Sequence, residues 1–136
     1  MTHTTKGKKI LIVDDDEFHL DFAEIVLKEE YEIFKAKSGS EALTYLCKNN
    51  FVPSLILLDI LMPNMDGWEV FNRIKAISLL RNVPIIFLTS VTETSQEKRA
   101  FEIGAADYIT KPYDKDYLRD RIKETIKKYE SEKRVL

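Results

Sequence analysis

Short apolar runs alternate along the chain with longer segments in which apolar residues recur at helical spacing. The runs are rich in Ile, Val and Leu, and two of them stop abruptly at an aspartate. They predict five β-strands, at residues 10–13, 31–36, 55–58, 83–88 and 108–109. Each strand is followed by a predicted helix, and these helices begin near residues 17, 39, 66, 94 and 114.

Polar side chains mark the starts of the predicted helices. Thr94 and Glu97 have the spacing of a capping box, in which each side chain binds a free backbone N–H of the first turn. We expect further N-cap residues at Asp16, Ser38 and Asp66, because carboxylates and hydroxyls accept hydrogen bonds from those N–H groups. The helix starts are therefore better defined than the helix ends.

The strand and helix order predicts an α/β fold. Strands that are apolar on both faces are typical of a parallel sheet covered by helices on both sides, which is a three-layer α/β/α sandwich. Right-handed crossovers leave few topologies, and the five-stranded order 2-1-3-4-5 is common at this length. In the first helix Phe18, Phe22, Ile25 and Val26 recur at helical spacing, so we expect them to face the sheet.

Composition places the chain among ordinary globular domains. It has 136 residues, 44% hydrophobic, and a formal net charge of only −2, which gives no reason to expect nucleic acid or a membrane as a partner. Cys47 is the sole cysteine, and the first residues do not form a signal peptide, so a cytoplasmic location is expected. We expect a disordered start at 1–7, one domain at 8–129, and a helix end or linker start at 130–136.

Polar residues stand where four of the predicted strands end: Asp14, Asp15 and Asp16, then Asp59, then Thr89 and Ser90, then Thr110 and Lys111. In an open parallel sheet, ligands bind beyond the carboxyl ends of the strands, near the point where strand order reverses. These side chains are therefore expected at one rim of the sheet.

Several carboxylates at one rim require a counter-charge. Two carboxylates about 4–5 Å apart repel each other by roughly 3–4 kcal/mol at an effective dielectric near 20. Mg²⁺ relieves such repulsion, since it prefers oxygen ligands and needs only one or two carboxylates plus a phosphate. Lys111 adds a positive charge that suits a phosphate, and Thr89 adds a hydroxyl donor. Together these groups indicate phosphoryl transfer.

Four segments carry a resemblance to a known family: residues 10–16 (ILIVDDD), 58–67 (LDILMPNMDG), 87–90 (FLTS) and 104–112 (GAADYITKP). Taken together and in this order, they resemble the receiver domain of bacterial response regulators, the chemotaxis-regulator-like domain of two-component signalling. The resemblance covers the chain from about Lys8 to Tyr129. It implies a flavodoxin-like receiver fold and a place in a phosphorelay.

The resemblance also implies a metal site. Asp59 would be the phosphoacceptor, attacking the phosphorus of a phosphohistidine on a sensor histidine kinase or phosphotransfer protein. Asp15 would bind Mg²⁺ (or Mn²⁺) directly, and Asp14 would hold it largely through water. Asp59 itself and the backbone carbonyl of Leu61 would complete the protein ligands.

Three further residues receive roles from the resemblance. Thr89 would hydrogen-bond one phosphoryl oxygen, and Lys111 would pair with another. Tyr108 would be the switch aromatic whose rotamer follows the movement of Thr89. Phosphorylation would then change the surface of helix 4, strand 5 and helix 5 for a downstream partner that the sequence does not name, or for a second copy of the chain. The bond between Lys111 and Pro112 is expected to be cis.

Leu61 and Val91 are expected to tune hydrolysis. In this family the side chains two residues after the acceptor and two after the threonine flank the phosphoryl group. Apolar groups there cannot orient an attacking water and they crowd its path. We therefore expect slow self-dephosphorylation.

Three other functions compete with the phosphoacceptor. An aspartyl-phosphate phosphatase of the haloacid dehalogenase type would use Asp14-x-Asp16, although the residues after it do not fit that pattern. A Ca²⁺ site at residues 14–17 lacks the EF-hand spacing and its glycine. A purely structural interaction module remains the third alternative. The expectation is a signalling domain, not an enzyme acting on a separate substrate.

Overall fold

The computed structural model describes residues 7–48 and 51–135. Five parallel strands form one sheet in the order β2-β1-β3-β4-β5, which confirms the predicted α/β fold. The strands are β1 (Lys9–Val13), β2 (Glu32–Ala36), β3 (Leu55–Leu58), β4 (Ile85–Thr89) and β5 (Asp107–Thr110). The helices are α1 (Glu17–Leu27), α2 (Gly39–Cys47), α3 (Gly67–Lys75), α4 (Thr94–Glu102) and α5 (Lys115–Val135).

Two hydrophobic cores lie on opposite faces of the sheet. Successive strand residues point to opposite faces, so Leu11 and Val13 enter one core while Ile10 and Ile12 enter the other. The first core also receives the apolar faces of α2 and α3, and the second receives those of α1 and α5. The central strands are therefore apolar on both sides and hold the strand ends rigidly in register.

The expected apolar face of α1 is wrong. Phe18 and Ile25 are 74% and 61% exposed, and Phe22 is also exposed. The buried residues are Leu20, Ala23, Val26 and Leu27, of which only Val26 belonged to the expected face. The helix carries apolar residues in two phases, and packing against the sheet and α5 selects the phase of Leu20 and Leu27. Aromatic side chains are left on the surface.

Most of the expected N-caps are present. Asp16, Ser38 and Asp66 each accept a hydrogen bond from a backbone N–H of the first turn of the following helix. The capping box at Thr94 is wrong, because Thr94 is already the first residue of α4 and Glu93 precedes it without a side-chain cap. The start of α4 is thus the least firmly held helix start of the five.

The two ends of the domain lie close together. Lys8 donates to Glu130 near the end of α5 at 2.7 Å, so the chain just before β1 is tied to the last helix. Helix α5 continues to Val135, so the segment after Tyr129 is a helix end, which was one of its two expected forms. Most of the segment expected to be disordered, residues 1–6, lies outside the described residues.

In the described part of the chain, no helix is long and apolar enough to cross a membrane.

Candidate functional site

Asp14 and Asp59 stand side by side because their strands are neighbours in register. Val13 of β1 lies opposite Leu58 of β3, and Asp59 donates its backbone N–H to the carbonyl of Val13 at 3.0 Å. Both aspartates are nearly enclosed, at 4% and 6% exposed, whereas Asp15 lies open to solvent. Carboxylate oxygens of Asp14, Asp15 and Asp59 all lie within 4.8 Å of one another. The expected rim of acids is therefore a compact cluster.

Lys111 reaches this cluster from the neighbouring strand pair. Thr89 and Thr110 are partners in the β4–β5 register, and Lys111 donates its backbone N–H to the carbonyl of Thr89 at 2.8 Å. The Lys111 ammonium lies 2.5 Å from Asp14 Oδ2 and 3.4 Å from Asp59 Oδ2. One ammonium thus contacts two of the three carboxylates, and the cluster as a whole keeps a negative charge.

The Asp59 carboxylate is held in a polarised environment. Burial raises its pKa above the ordinary value, and Lys111 opposes that shift with its positive charge. The charge of Asp14 raises the pKa further, while hydrogen bonds from Thr89 and from the backbone N–H of Ile60 (2.8 Å) lower it. The net effect is a raised pKa of Asp59, so ionisation of this carboxylate lowers the stability of the folded domain.

Gly67 lets the loop that carries Asp59 pack closely against α3. Its backbone N–H donates to the carbonyl of Ile60 at 2.8 Å. A Cβ at this position would overlap the carbonyl oxygen of Asp59 and would lie 2.7 Å from Ile60 Cα. The glycine is therefore required by the backbone of Asp59 and Ile60, and this contact supports the position of Asp59.

Thr89, Val91 and Tyr108 are linked by hydrogen bonds. Thr89 is fully buried at the end of β4, and its hydroxyl accepts from the backbone N–H of Val91 at 3.3 Å. The buried Tyr108 donates its hydroxyl to the carbonyl of Val91 at 2.7 Å, and burial raises the pKa of Tyr108 to about 12. The ring of Tyr108 is therefore already buried in this structure, and its hydroxyl is hydrogen-bonded to the carbonyl of Val91.

The two residues expected to tune hydrolysis have different surroundings. The Leu61 side chain is 61% exposed in the loop after Asp59, whereas Val91 is half-buried against the core. Because most of the Leu61 side chain stays in water, it gains little from burial on folding. The Lys111–Pro112 peptide bond is cis, as expected.

His19 lies at the site although nothing in the sequence predicted it there. A lone histidine in the first turns of a helix gave no signal of a role, because no second histidine or cysteine is near it in sequence. The structure places its Nδ1 3.0 Å from the Lys111 ammonium and 3.6 Å from Asp14 Oδ2. The available signal was its position in α1, the helix that begins directly after the three acids.

The cluster fits a hard divalent cation. Its side-chain donors are oxygens, and two of them are nearly enclosed while the third is open to solvent, which leaves room for water ligands. Lys111 offsets only one of the three negative charges. The residues present therefore match the ligand set that Mg²⁺ accepts.

The comparisons with known proteins agree on one family. The sequence profile of the response regulator receiver domain matches residues 10–123, and the chain belongs to this family. It is therefore a receiver domain of two-component phosphorelay signalling.

Two similar proteins differ in how much of their length the chain covers. Over 86% of the chain and 92% of the relative, the sequence is 37% identical to sporulation initiation phosphotransferase F of Bacillus subtilis. It is 41% identical to a probable cyclic di-GMP phosphodiesterase of Vibrio cholerae over 83% of the chain, which is only 25% of that relative. The chain thus spans nearly the whole of one of these relatives and a quarter of the other.

A solved structure shows the same architecture. The crystal structure of a response regulator receiver domain protein from Methanospirillum hungatei has a TM-score of 0.81 and 35% identity, and covers 92% of this chain and 98% of that chain. Membership of this family favours the phosphoacceptor over the phosphatase as an interpretation of the acid cluster.

Proposed function

We propose that Asp59 is the phosphoacceptor of this receiver domain. The phosphoryl group would come from a phosphohistidine on a sensor histidine kinase or a phosphotransfer protein. The observation that carries the proposal is the position of Asp59, which lies at the end of a central strand within reach of two acids and one ammonium. Asp14 has the same acid and ammonium neighbours, but Asp59 also accepts a hydrogen bond from Thr89, the hydroxyl expected to contact the phosphoryl group.

The reaction forms one bond and breaks another. A carboxylate oxygen of Asp59 attacks the phosphorus, the O–P bond of an acyl phosphate forms, and the N–P bond of the phosphohistidine breaks. The electron pair of that bond stays on the imidazole of the donor, which takes up a proton from solvent. The phosphoryl group then carries roughly −1.5 to −2 charges on Asp59.

The acid cluster would hold Mg²⁺ or Mn²⁺. Asp15 and Asp59 would bind it through their carboxylates, Asp14 largely through water, and Leu61 through its backbone carbonyl. When bound, the cation supplies charge neutralisation for the phosphoryl oxygens. Asp14 and Asp59 are nearly buried, whereas Asp15 is exposed to solvent, so water ligands could reach the cation beside Asp15.

Lys111 and Thr89 would bind the phosphoryl group, and the rotamer of Tyr108 would change in response. The Lys111 ammonium already lies 3.4 Å from Asp59 Oδ2, so a phosphoryl oxygen there would receive its charge. Movement of Thr89 toward the phosphoryl group would pull on Val91, to which Tyr108 is bonded. The consequence is a change at the surface formed by α4, β5 and α5.

A change between two states of this surface requires a minimum free-energy difference between them. To move a surface from 1:99 to 99:1, phosphorylation must favour one state by about 5.5 kcal/mol. Charge-assisted hydrogen bonds contribute about 1.5–3 kcal/mol each, so contacts to Lys111, Thr89 and backbone N–H groups are sufficient. The partner that reads the surface is a downstream protein or a second copy of the chain. We propose that the domain acts in the cytoplasm and does not bind nucleic acid itself.

The test is phosphorylation by acetyl phosphate with and without Mg²⁺, with the modified residue located by mass spectrometry. The expected result is one phosphoryl group on Asp59 that depends on Mg²⁺ and is absent in Asp59→Asn. Asp16→Asn is the matched control, because Asp16 is a neighbouring acid that caps α1 and lies outside the cluster. Phosphate on Asp14, or unaltered labelling of Asp59→Asn, would contradict the proposal.

A further inference from the structure

The Lys111 ammonium has three polar neighbours, and one of them is not an acid. Its distances are 2.5 Å to Asp14 Oδ2, 3.0 Å to His19 Nδ1 and 3.4 Å to Asp59 Oδ2. An ammonium has three N–H donors and no acceptor. Each donor therefore has one acceptor, and His19 takes the second closest.

The direction of the His19 contact follows from the chemistry of the two groups. Because the ammonium cannot accept, the hydrogen between the two nitrogens belongs to Lys111, and Nδ1 of the imidazole must accept it. The imidazole proton then lies on Nε2. The structure thus requires one tautomer of His19, in which Nδ1 carries no hydrogen.

The contact also constrains where the ammonium can go. The Lys111 side chain is 9% exposed, and it shares with His19 the wall of a cavity of about 480 Å³ that is otherwise mostly apolar. On the acid side the lysine has two carboxylates, of which Asp14 is much the closer. Asp14 and His19 both line the cavity and contact the ammonium, and His19 is the uncharged side chain of the two when its imidazole accepts.

We propose that His19 is a positioning residue for Lys111. By accepting one N–H, it fixes the rotation of the ammonium so that another N–H points toward Asp59, where the phosphoryl group arrives. This inference rests on the proposed function of Asp59 and adds a residue to it. His19 touches neither Asp59 nor the phosphoryl group and acts through Lys111.

The first experiment observes the tautomer directly, in the unphosphorylated domain. Long-range ¹⁵N–¹H correlation spectra at pH 8.5 are expected to show the Nε2–H form of His19, and the spectrum of Lys111→Met is expected to show a mixture of tautomers. A dominant Nδ1–H tautomer in the unsubstituted domain would overturn the proposal. This measurement does not depend on phosphorylation.

The second experiment measures phosphorylation of Asp59 by acetyl phosphate at saturating Mg²⁺. His19→Leu is expected to lower the rate constant about 3- to 10-fold and to change the Mg²⁺ dissociation constant less than 2-fold. His19→Asn is expected to recover most of the rate, because the asparagine oxygen occupies the place of Nδ1. Phe18→Leu is the control, since Phe18 lines the same cavity without a polar contact to Lys111.

A double-mutant cycle separates positioning from a merely structural role. In the Lys111→Met background, His19→Leu is expected to have no further effect on the rate. Additive effects, or a rate in His19→Leu equal to that of the unsubstituted domain, would overturn the inference while leaving Asp59 as the acceptor. Failure of the unsubstituted domain to be phosphorylated would instead contradict the proposed function, and the tautomer would then test only the contact between His19 and Lys111.

Discussion

Asp59 is a nearly enclosed carboxylate whose folded-state pKa is raised by burial and by Asp14. Between its ordinary pKa and this higher value, the folded state binds more protons than the unfolded chain. The free energy of unfolding therefore falls as pH rises through that interval. At neutral pH and without a metal ion, the ionised Asp59 destabilises the domain.

Asp59→Asn should consequently stabilise the metal-free domain, by about 1 kcal/mol near pH 7. The amide removes the charge and keeps an oxygen to accept from Ile60, and Lys111 retains Asp14 as a partner. The gain should shrink as pH is lowered through the interval toward 3.8 and be lost below it, where the unsubstituted carboxyl is protonated in both states. Urea unfolding in EDTA at several pH values measures the difference.

Asp107→Asn is the matched control with the opposite sign. Asp107 is also a buried acid at a strand position, but Arg121 lies 2.6 Å away and satisfies its charge. Removing that carboxylate leaves the guanidinium without this partner, so the substitution should destabilise the domain. Destabilisation by Asp59→Asn as well would refute the view that the acid cluster costs stability.

Leu61 allows a test of phosphoryl lifetime at a single side chain. We expect the acyl phosphate to last for minutes or longer, and Leu61→Asn to shorten its lifetime several-fold because an amide can orient the attacking water. Leu79→Asn is the control, because Leu79 is 60% exposed, as Leu61 is at 61%, and lies in a different connection. Decay within seconds in the unsubstituted domain would contradict slow hydrolysis.

At the scale of elements, α1 shows what a hydrophobic pattern leaves undecided. Two overlapping apolar phases run along the helix, and the sequence favoured the one with the larger side chains. The sheet and α5 select the smaller residues Leu20, Ala23 and Leu27, which allow closer packing. The N-caps were predictable because they depend on neighbouring residues alone, as at Asp16 and Asp66.

The connection between β3 and α3 gives a prediction at the scale of elements. Gly67→Ala would force a Cβ into the backbone at Asp59 and Ile60, which cannot move without displacing the acceptor. We expect a loss of at least 2 kcal/mol in the free energy of unfolding, together with slower phosphorylation of Asp59. Denaturant unfolding and acetyl phosphate labelling measure the two effects.

Gly39→Ala is the comparison that isolates the backbone effect. Its Cβ would meet side-chain atoms, Val70 Cγ2 at 2.5 Å and Met65 Sδ at 2.9 Å, and Met65 is flexible enough to give way. It should lower stability while leaving the phosphorylation rate of the folded domain within 2-fold. Equal losses of rate in the two variants would show that Gly67 has no particular connection with the acceptor.

At the scale of the whole molecule, metal binding should be visible as stability. A cation that binds only the folded state stabilises it by about 2.7 kcal/mol at 100 times its dissociation constant. Mg²⁺ should therefore raise the melting temperature of the unsubstituted domain by several degrees, and should raise that of Asp15→Asn much less. Calorimetry in Mg²⁺ and in EDTA makes this comparison.

Asp21→Asn serves as the control for the metal experiment. Asp21 is another exposed acid of the same region, but its partner is Lys35 and it lies outside the cluster. Its Mg²⁺ response should equal that of the unsubstituted domain. A full response in Asp15→Asn would mean that the cation binds elsewhere.

The order of strands and helices and the fold class were determined by the sequence alone, because continuous apolar runs and helical spacing are local patterns. The strand-end position of Asp14, Asp59 and Lys111 was equally local, since each follows directly after an apolar run. Their meeting at one rim then followed from the general rule for parallel sheets.

Only the tertiary structure decided which face of α1 packs inward and which neighbours surround each polar group. Those outcomes depend on contacts between residues far apart in the chain, such as Lys111 with His19, which are 92 positions apart. A side chain without a local motif depends on such contacts for any role at the site, and for that reason the role proposed for His19 could not be recognised before the fold was known.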